Sequence, residues 1–141
     1  MQADNKMVIE FDAVSENESF ARAAVAAFVA PLDPTVEELT EIKTALSEAV
    51  TNSVIHGYEG REGVIKVACS YLGGMVEICV EDQGEGIENV DKAKEPLYTS
   101  KPEQERSGMG FTVMEIFMDK LTVESAKGKG TKVIMMKQLG R

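Results

Sequence analysis

The sequence predicts an α+β domain: a two-layer α/β sandwich whose mixed, mostly antiparallel sheet is covered on one face by helices. Three observations predict it. Apolar and polar residues alternate in short runs, the period of strands. Glycine turns join successive runs into hairpins, which makes the pairing largely antiparallel. Two longer segments repeat apolar residues at helical spacing instead.

Met7, Ile9 and Phe11 alternate with Val8, Glu10 and Asp12, a first strand. Ser15-Glu16-Asn17-Glu18 reads as a capping box, with Ser15 as N-cap and Glu18 bonding back. The helix it opens runs to about Ala30, with Phe20, Ala24, Ala27 and Phe28 on its apolar side, and Pro31 ends it. Asp33-Pro34-Thr35 opens a second helix, with Pro34 in its first turn. Leu39, Ile42, Leu46, Ala49, Val50 and Ser53 form its buried stripe, and Gly57 is the stop. Strands follow at Val64 to Tyr71 and Met75 to Glu81, turning at Gly73-Gly74. A glycine-rich polar stretch from Asp82 to Gly110 is too long for a plain connector in so small a domain, which marks it as functional. A third helix spans about Gly110 to Met118, and a hairpin of Leu121 to Ser125 and Thr131 to Lys137 closes the order. No repeat or linker divides residues 1–141, so one domain is expected.

The chain carries 24 acidic against 15 basic residues, a formal charge of -9. That balance argues against nucleic-acid binding, which needs a Lys/Arg surplus to neutralise phosphate. No run of about 18 apolar residues predicts a membrane span. Met1-Gln2-Ala3-Asp4-Asn5 lacks the basic and apolar regions of a signal peptide, so a cytoplasmic location is expected. Cys69 and Cys79 lie in apolar runs without C-x-x-C spacing. They read as buried thiols in a reducing compartment; a disulfide between adjacent strands is the alternative.

Glu48, Asn52 and His56 recur every four residues on the second helix and fall on one side. Alone they favour a solvated polar face. Aimed into a pocket, the carboxamide oxygen can ligate Mg²⁺ and the carboxylate can deprotonate a hydroxyl. Asp82 continues the parity of Val76, Ile78 and Val80, so it lies either past the strand or buried and paired. A buried carboxylate suits an amino group such as adenine's. Gly84 and Gly86 follow it and permit close backbone approach to a ligand, although D-x-G-x-G also describes many turns. Arg106-Ser107-Gly108-Met109-Gly110 precedes a helix, where backbone N–H groups and the helix dipole favour phosphate. Arg106 can reach a terminal phosphate. A flexible loop with an N-cap reads the same way. It is no Walker A loop, since G-K-[ST] is missing.

In order, Glu48-x-x-x-Asn52, Asp82-x-Gly84-x-Gly86, Gly108-x-Gly110 and Gly130-Thr131 resemble the Bergerat, or histidine-kinase-like, ATPase fold of gyrase-type, histidine kinase and MutL proteins. Histidine kinases need a phospho-acceptor His in a dimerisation domain, for which this chain has no room. Ser19-Phe20-Ala21-Arg22, Leu39 to Lys43, Ser47 to Asn52 and Pro96 to Pro102 resemble the sporulation anti-sigma F factors. That resemblance implies a homodimer binding Mg²⁺ and ATP or ADP, which inhibits a sigma factor and phosphorylates a serine of an anti-anti-sigma partner. It implies Glu48 as general base, Asn52 as Mg²⁺ ligand, and Asp82, supported by Thr131, as adenine reader. Gly84, Gly86, Ile87, Ser107, Gly108, Met109, Gly110 and Phe111 would line the nucleotide. Thr99, Ser100 and Lys101 would belong to a lid, Arg106 to the terminal phosphate and Arg22 to the sigma contact. The alternatives are a related stress-response anti-sigma kinase and a nucleotide-dependent binding switch without effective catalysis.

Overall fold

The structure is a computed structural model that describes residues 3–59, 61–87, 90, 94 and 110–140. The elements are β1 (Asn5–Asp12), α1 (Asn17–Val29), a short 3-10 turn (Ala30–Leu32), α2 (Val36–Asn52), a π turn (Ser53–Gly57), β2 (Val64–Leu72), β3 (Met75–Asp82), α3 (Gly110–Phe117), β4 (Lys120–Ser125) and β5 (Thr131–Gln138). The strands form a five-stranded sheet in the order β1-β2-β3-β5-β4. Every pairing among the described residues is antiparallel. The α+β architecture and all five strands agree with the sequence expectation.

The alternation of side chains across each strand sorts the sheet into two faces. Ile65, Val67 and Cys69 of β2, Val76, Ile78 and Val80 of β3, and Val133 and Met135 of β5 are buried on the helix side. Ile42, Leu46, Ala49 and Val50 of α2 and Met114 of α3 meet them. Burying each large aliphatic side chain contributes roughly 1.5–3 kcal/mol. The opposite face carries a row of Val8, Ala68, Cys79, Ile134 and Thr122 in register, and beside it Glu10, Lys66, Glu81, Lys132 and Glu124 in alternating charge. Val8 on that face is 57% exposed. Among the described residues no helix is long and apolar enough to cross a membrane.

Helix α1 differs from expectation in two ways. Its buried stripe is Ala21, Val25 and Val29, while Phe20 is 50% exposed. Small side chains let the helix approach its neighbours closely, and the aromatics flank it. Phe20 meets Phe11 edge-on at 6.0 Å, and Phe28 leans on Tyr71 at 5.2 Å. The Ser15–Glu18 capping box is absent: the N-cap is Glu16, without a side-chain bond. The Glu18 carboxylate goes instead to charge-assisted partners, Arg22 at 2.7 Å and Thr51 at 2.6 Å.

A capping box does form at α2. Thr35 Oγ1 accepts from the Glu38 N–H at 3.0 Å, and Glu38 Oε1 accepts from the Thr35 N–H at 2.9 Å. Thr35 is extended, which puts Pro34 ahead of the cap rather than in the first turn. The Glu38 carboxylate also accepts from the Gly140 N–H at 3.2 Å, tying the start of α2 to the residues after β5.

The two cysteines lie on adjacent strands but cannot bridge. Cys69 faces Ile78 and Cys79 faces Ala68, a one-residue offset that puts their side chains on opposite faces of the sheet. Burial pushes the Cys69 thiol up to about 12. Cys79 is only half-buried, which corrects the expectation that both are buried; its thiol is raised as well, mainly by desolvation.

Candidate nucleotide site

The site is built where α2 ends and β3 ends. At Ser53 the helix changes from α to π winding, and the Ser53 N–H is shared between the carbonyls of Ala49 and Val50. Such π segments recur at functional sites because they re-aim side chains. The change leaves Ser53 where the helical stripe had it, buried, and its hydroxyl donates to Asp82 Oδ2 at 2.8 Å. The change takes His56 off the regular spacing of Glu48 and Asn52, so the expected three-residue stripe ends at Asn52.

Asp82 completes the inward row of β3 and is 3% exposed. Of the two readings its parity left open, burial with partners is the observed one. Besides Ser53, its Oδ1 accepts from the Gly84 N–H at 2.9 Å. Burial raises its pKa above the ordinary carboxylate value, against the opposing pull of hydrogen bonds from Gly84, Ser53 and the backbone of Thr131. A carboxylate has about four acceptor positions, so these bonds leave capacity for an amino group of a ligand.

The segment after Asp82 is fastened to the protein through its own N–H groups. Gln83 donates to the Tyr58 hydroxyl at 2.8 Å, Glu85 to the Gly57 carbonyl at 2.7 Å and Ile87 to Ser125 Oγ at 2.7 Å. The Gly128 N–H in turn donates to the Glu85 carbonyl. Ser125 Oγ also donates to the Gly130 carbonyl at 2.8 Å and lies 2.8 Å from Thr131 Oγ1. The glycines serve this fastening. A methyl at Gly84 would overlap the Gly57 carbonyl, and one at Gly86 would overlap the Ala126 carbonyl. The close approach anticipated toward a ligand is, at Gly84, an approach to the protein's own backbone. Gly84→Ala should therefore destabilise the fold by about 1–3 kcal/mol, since neither backbone can yield cheaply. Thermal unfolding measures it, and an unchanged midpoint would disprove the packing account.

The expected site residues divide into groups. Asp82, Gly84, Gly86, Ile87 and Thr131 come together around Ser53, Gly57 and Ser125. Gly110 and Phe111 lie at the start of α3, where Phe111 is part of the core. Glu48 lies one turn before Asn52 and opens instead onto a groove between α1 and α2, lined also by Glu18, Arg22, Lys43, Thr44 and Ser47. The structure thus brings Arg22, far from Glu48 in sequence, into the same groove. Thr99, Ser100, Lys101, Arg106, Ser107, Gly108 and Met109 lie outside the described residues. Sequence reasoning missed Ser53 as a partner of Asp82, along with Ser125, Tyr58, Glu18 and Thr51. The one available signal was Ser53 itself, a hydroxyl in an otherwise apolar stripe.

Comparison with known proteins agrees with this architecture. The family model of the histidine kinase-like ATPase domain matches residues 11–137. An anti-sigma F factor of Clostridium kluyveri is 66% identical over 134 residues, covering 95% of this chain and 94% of that protein. An anti-sigma F factor of Clostridium perfringens is 64% identical over 137 residues, covering 96% and 98%. A crystal structure of the RsbU and RsbW domains of a Mycobacterium tuberculosis protein superposes with a TM-score of 0.71 at 23% identity. It covers 97% of this chain and 33% of that longer one, a likeness of fold. With its nucleotide-binding fold, its buried Asp82 and this degree of identity, the chain belongs to the histidine kinase-like ATPase domain family and, within it, to the anti-sigma F factors.

Proposed function

We propose that the chain is an ATP-dependent serine kinase that also captures a sporulation sigma factor, and that phosphorylating an anti-anti-sigma protein inactivates that second partner. The observation that carries this reading is the shared groove: Glu48 and Arg22 both line it, and one turn further along α2 come Asn52 and the Ser53–Asp82 pair. A protein docked on Arg22 would present a hydroxyl to Glu48, with nucleotide anchored at Asp82 beyond it.

In this mechanism the Asp82 carboxylate accepts a hydrogen bond from adenine's amino group. The Glu48 carboxylate takes the proton of the partner serine. The serine oxygen then attacks the terminal phosphorus as the bond to the leaving ADP oxygen breaks. Asn52 would hold Mg²⁺ through its amide oxygen, and the ion would neutralise charge on the phosphates. The donor set fits this role. Mg²⁺ in phosphoryl-transfer sites is held by one or two protein oxygens, with water and substrate phosphates completing the shell. The open face of the sheet, with its apolar row and alternating charges, supports a homodimer as the working form.

Incubation with labelled ATP and an anti-anti-sigma protein tests the proposal. Label on a serine of that protein is expected, and its absence would leave the nucleotide-dependent binding switch as the better reading. Arg22→Ala should weaken sigma capture at least roughly tenfold, in the range of an interface arginine, while nucleotide affinity stays near normal. A pull-down in Mg²⁺-ATP measures the loss. Full-strength capture would remove Arg22 from the interface.

A further inference from the structure

The groove contains a connection that the mechanism above leaves unused. Glu18 of α1 reaches two partners with its two carboxylate oxygens. Oε1 accepts from Arg22 Nη1 at 2.7 Å, and Oε2 accepts from Thr51 Oγ1 at 2.6 Å. Arg22 Nη1 also donates to Ser47 Oγ at 3.0 Å, and Nη2 to Ser19 Oγ at 3.1 Å. Ser47 and Thr51 directly precede Glu48 and Asn52. The bonds from α1 thus meet α2 at the two positions next to the proposed base and metal ligand. The Glu18 side chain is mostly shielded, whereas Arg22 keeps a third of its side chain exposed. A mostly shielded carboxylate with short bonds to a cation and a hydroxyl gives a stiff link, because both bonds are charge-assisted.

We infer that Glu18 is a positioning residue: through Thr51 it fixes the turn of α2 that carries Glu48 and Asn52, and through Arg22 it joins that turn to the surface where a partner docks. The inference rests on the kinase reading for its main readout. Placement matters because a displacement of about 1 Å can cost up to about a hundredfold in rate. The helix passes from α to π winding at Ser53, directly after Asn52, so the turn that carries Asn52 is the last regular turn of α2. The link from Glu18 supplies the restraint from α1.

Thr51→Val removes the hydroxyl that Glu18 holds and leaves Arg22 untouched. Serine phosphorylation of the anti-anti-sigma protein would be measured for wild type, Thr51→Val, Thr51→Ser and Glu18→Gln. Affinity for a fluorescent ATP analogue with Mg²⁺ would be measured alongside. Thr51→Val should lower kcat roughly tenfold with little change in KM for the protein substrate, and Thr51→Ser should recover most of the rate. Glu18→Gln should lower kcat and also raise KM, since it weakens both bonds. An unchanged kcat in Thr51→Val, or a rise in KM alone, overturns the inference. If Thr51→Val does not fold, a wild-type kcat in Glu18→Gln overturns it equally. If the wild-type chain transfers no phosphate, the kinase reading fails separately and analogue affinity decides. Weaker Mg²⁺-dependent binding in Thr51→Val upholds the positioning role, and wild-type affinity overturns it.

Discussion

Glu48→Gln is expected to slow serine phosphorylation by roughly 10²–10⁴-fold, the usual cost of losing a general base, while ATP binding and sigma capture survive. Glu48 is half-buried on α2, one turn before Asn52, and opens onto the groove that Arg22 shares. Gln keeps the length and helix propensity of Glu, so α2 should form unchanged. Asn52 and Asp82 remain in place for the nucleotide. The variant would be an inhibitor that its anti-anti-sigma partner cannot be phosphorylated by. Three assays on one preparation separate the outcomes: transfer to serine, nucleotide affinity and sigma capture. Near-normal transfer would sink the base assignment, and loss of all three would make Glu48 a structural residue.

Asp82→Asn should weaken ATP binding by roughly 10- to 100-fold, because a charged hydrogen bond worth roughly 1.5–3 kcal/mol is lost and an amide N–H can be turned toward adenine's own donor. Titration of a fluorescent nucleotide checks this, and unchanged affinity in a folded variant would remove Asp82 from the adenine end. The same substitution has a pH signature. Burial raises the Asp82 pKa in the folded chain above the ordinary carboxylate value. The folded state therefore holds the proton more tightly than the unfolded one. Asp82's contribution to stability is full below the unfolded value and is lost as pH rises through the raised folded value. Asn carries no such dependence, so denaturant melts should show the variant gaining on wild type as pH rises from acid toward neutrality. A stability difference that does not vary with pH would refute the buried-carboxylate account.

What the sequence disclosed follows the range of the interactions concerned. The strands were legible, and so was the parity that made an inward Asp82 one of two readings, because parity is a local property of Val76, Ile78 and Val80. The end of the helical run at Gly57 was legible because a glycine marks it locally, whereas the end of α winding at Asn52 was not. The face of α1 was not: an alanine-rich helix offers several apolar stripes, and size alone favoured Phe20 and Phe28 over the small residues that pack. Glu18 had a local partner in Ser15 and a distant one in Thr51, and the distant one won. Ser53 with Asp82, and Ile87 with Ser125, meet only once the sheet has brought separate strands together. Such bonds leave no periodic trace in the chain. The sharing of one groove by Arg22 and Glu48 likewise depends on how α1 lies on α2.

The strand order has a consequence for assembly. β5 lies between β3 and β4, and the residues flanking it, Ser125 to Thr131, fasten the segment that follows Asp82. During synthesis β3 leaves the ribosome well before β5, so its second neighbour is missing while the earlier helices and strands can already gather. Until β5 docks, the Ile87 N–H has no Ser125 hydroxyl and Asp82 lacks Thr131 across the ladder. Non-local pairing of this kind is the slow part of folding. On the proposed function, nucleotide capture thus waits on the completion of the sheet, and a nascent chain that has not paired β5 would have the helices of the proposed docking groove without a finished place for nucleotide.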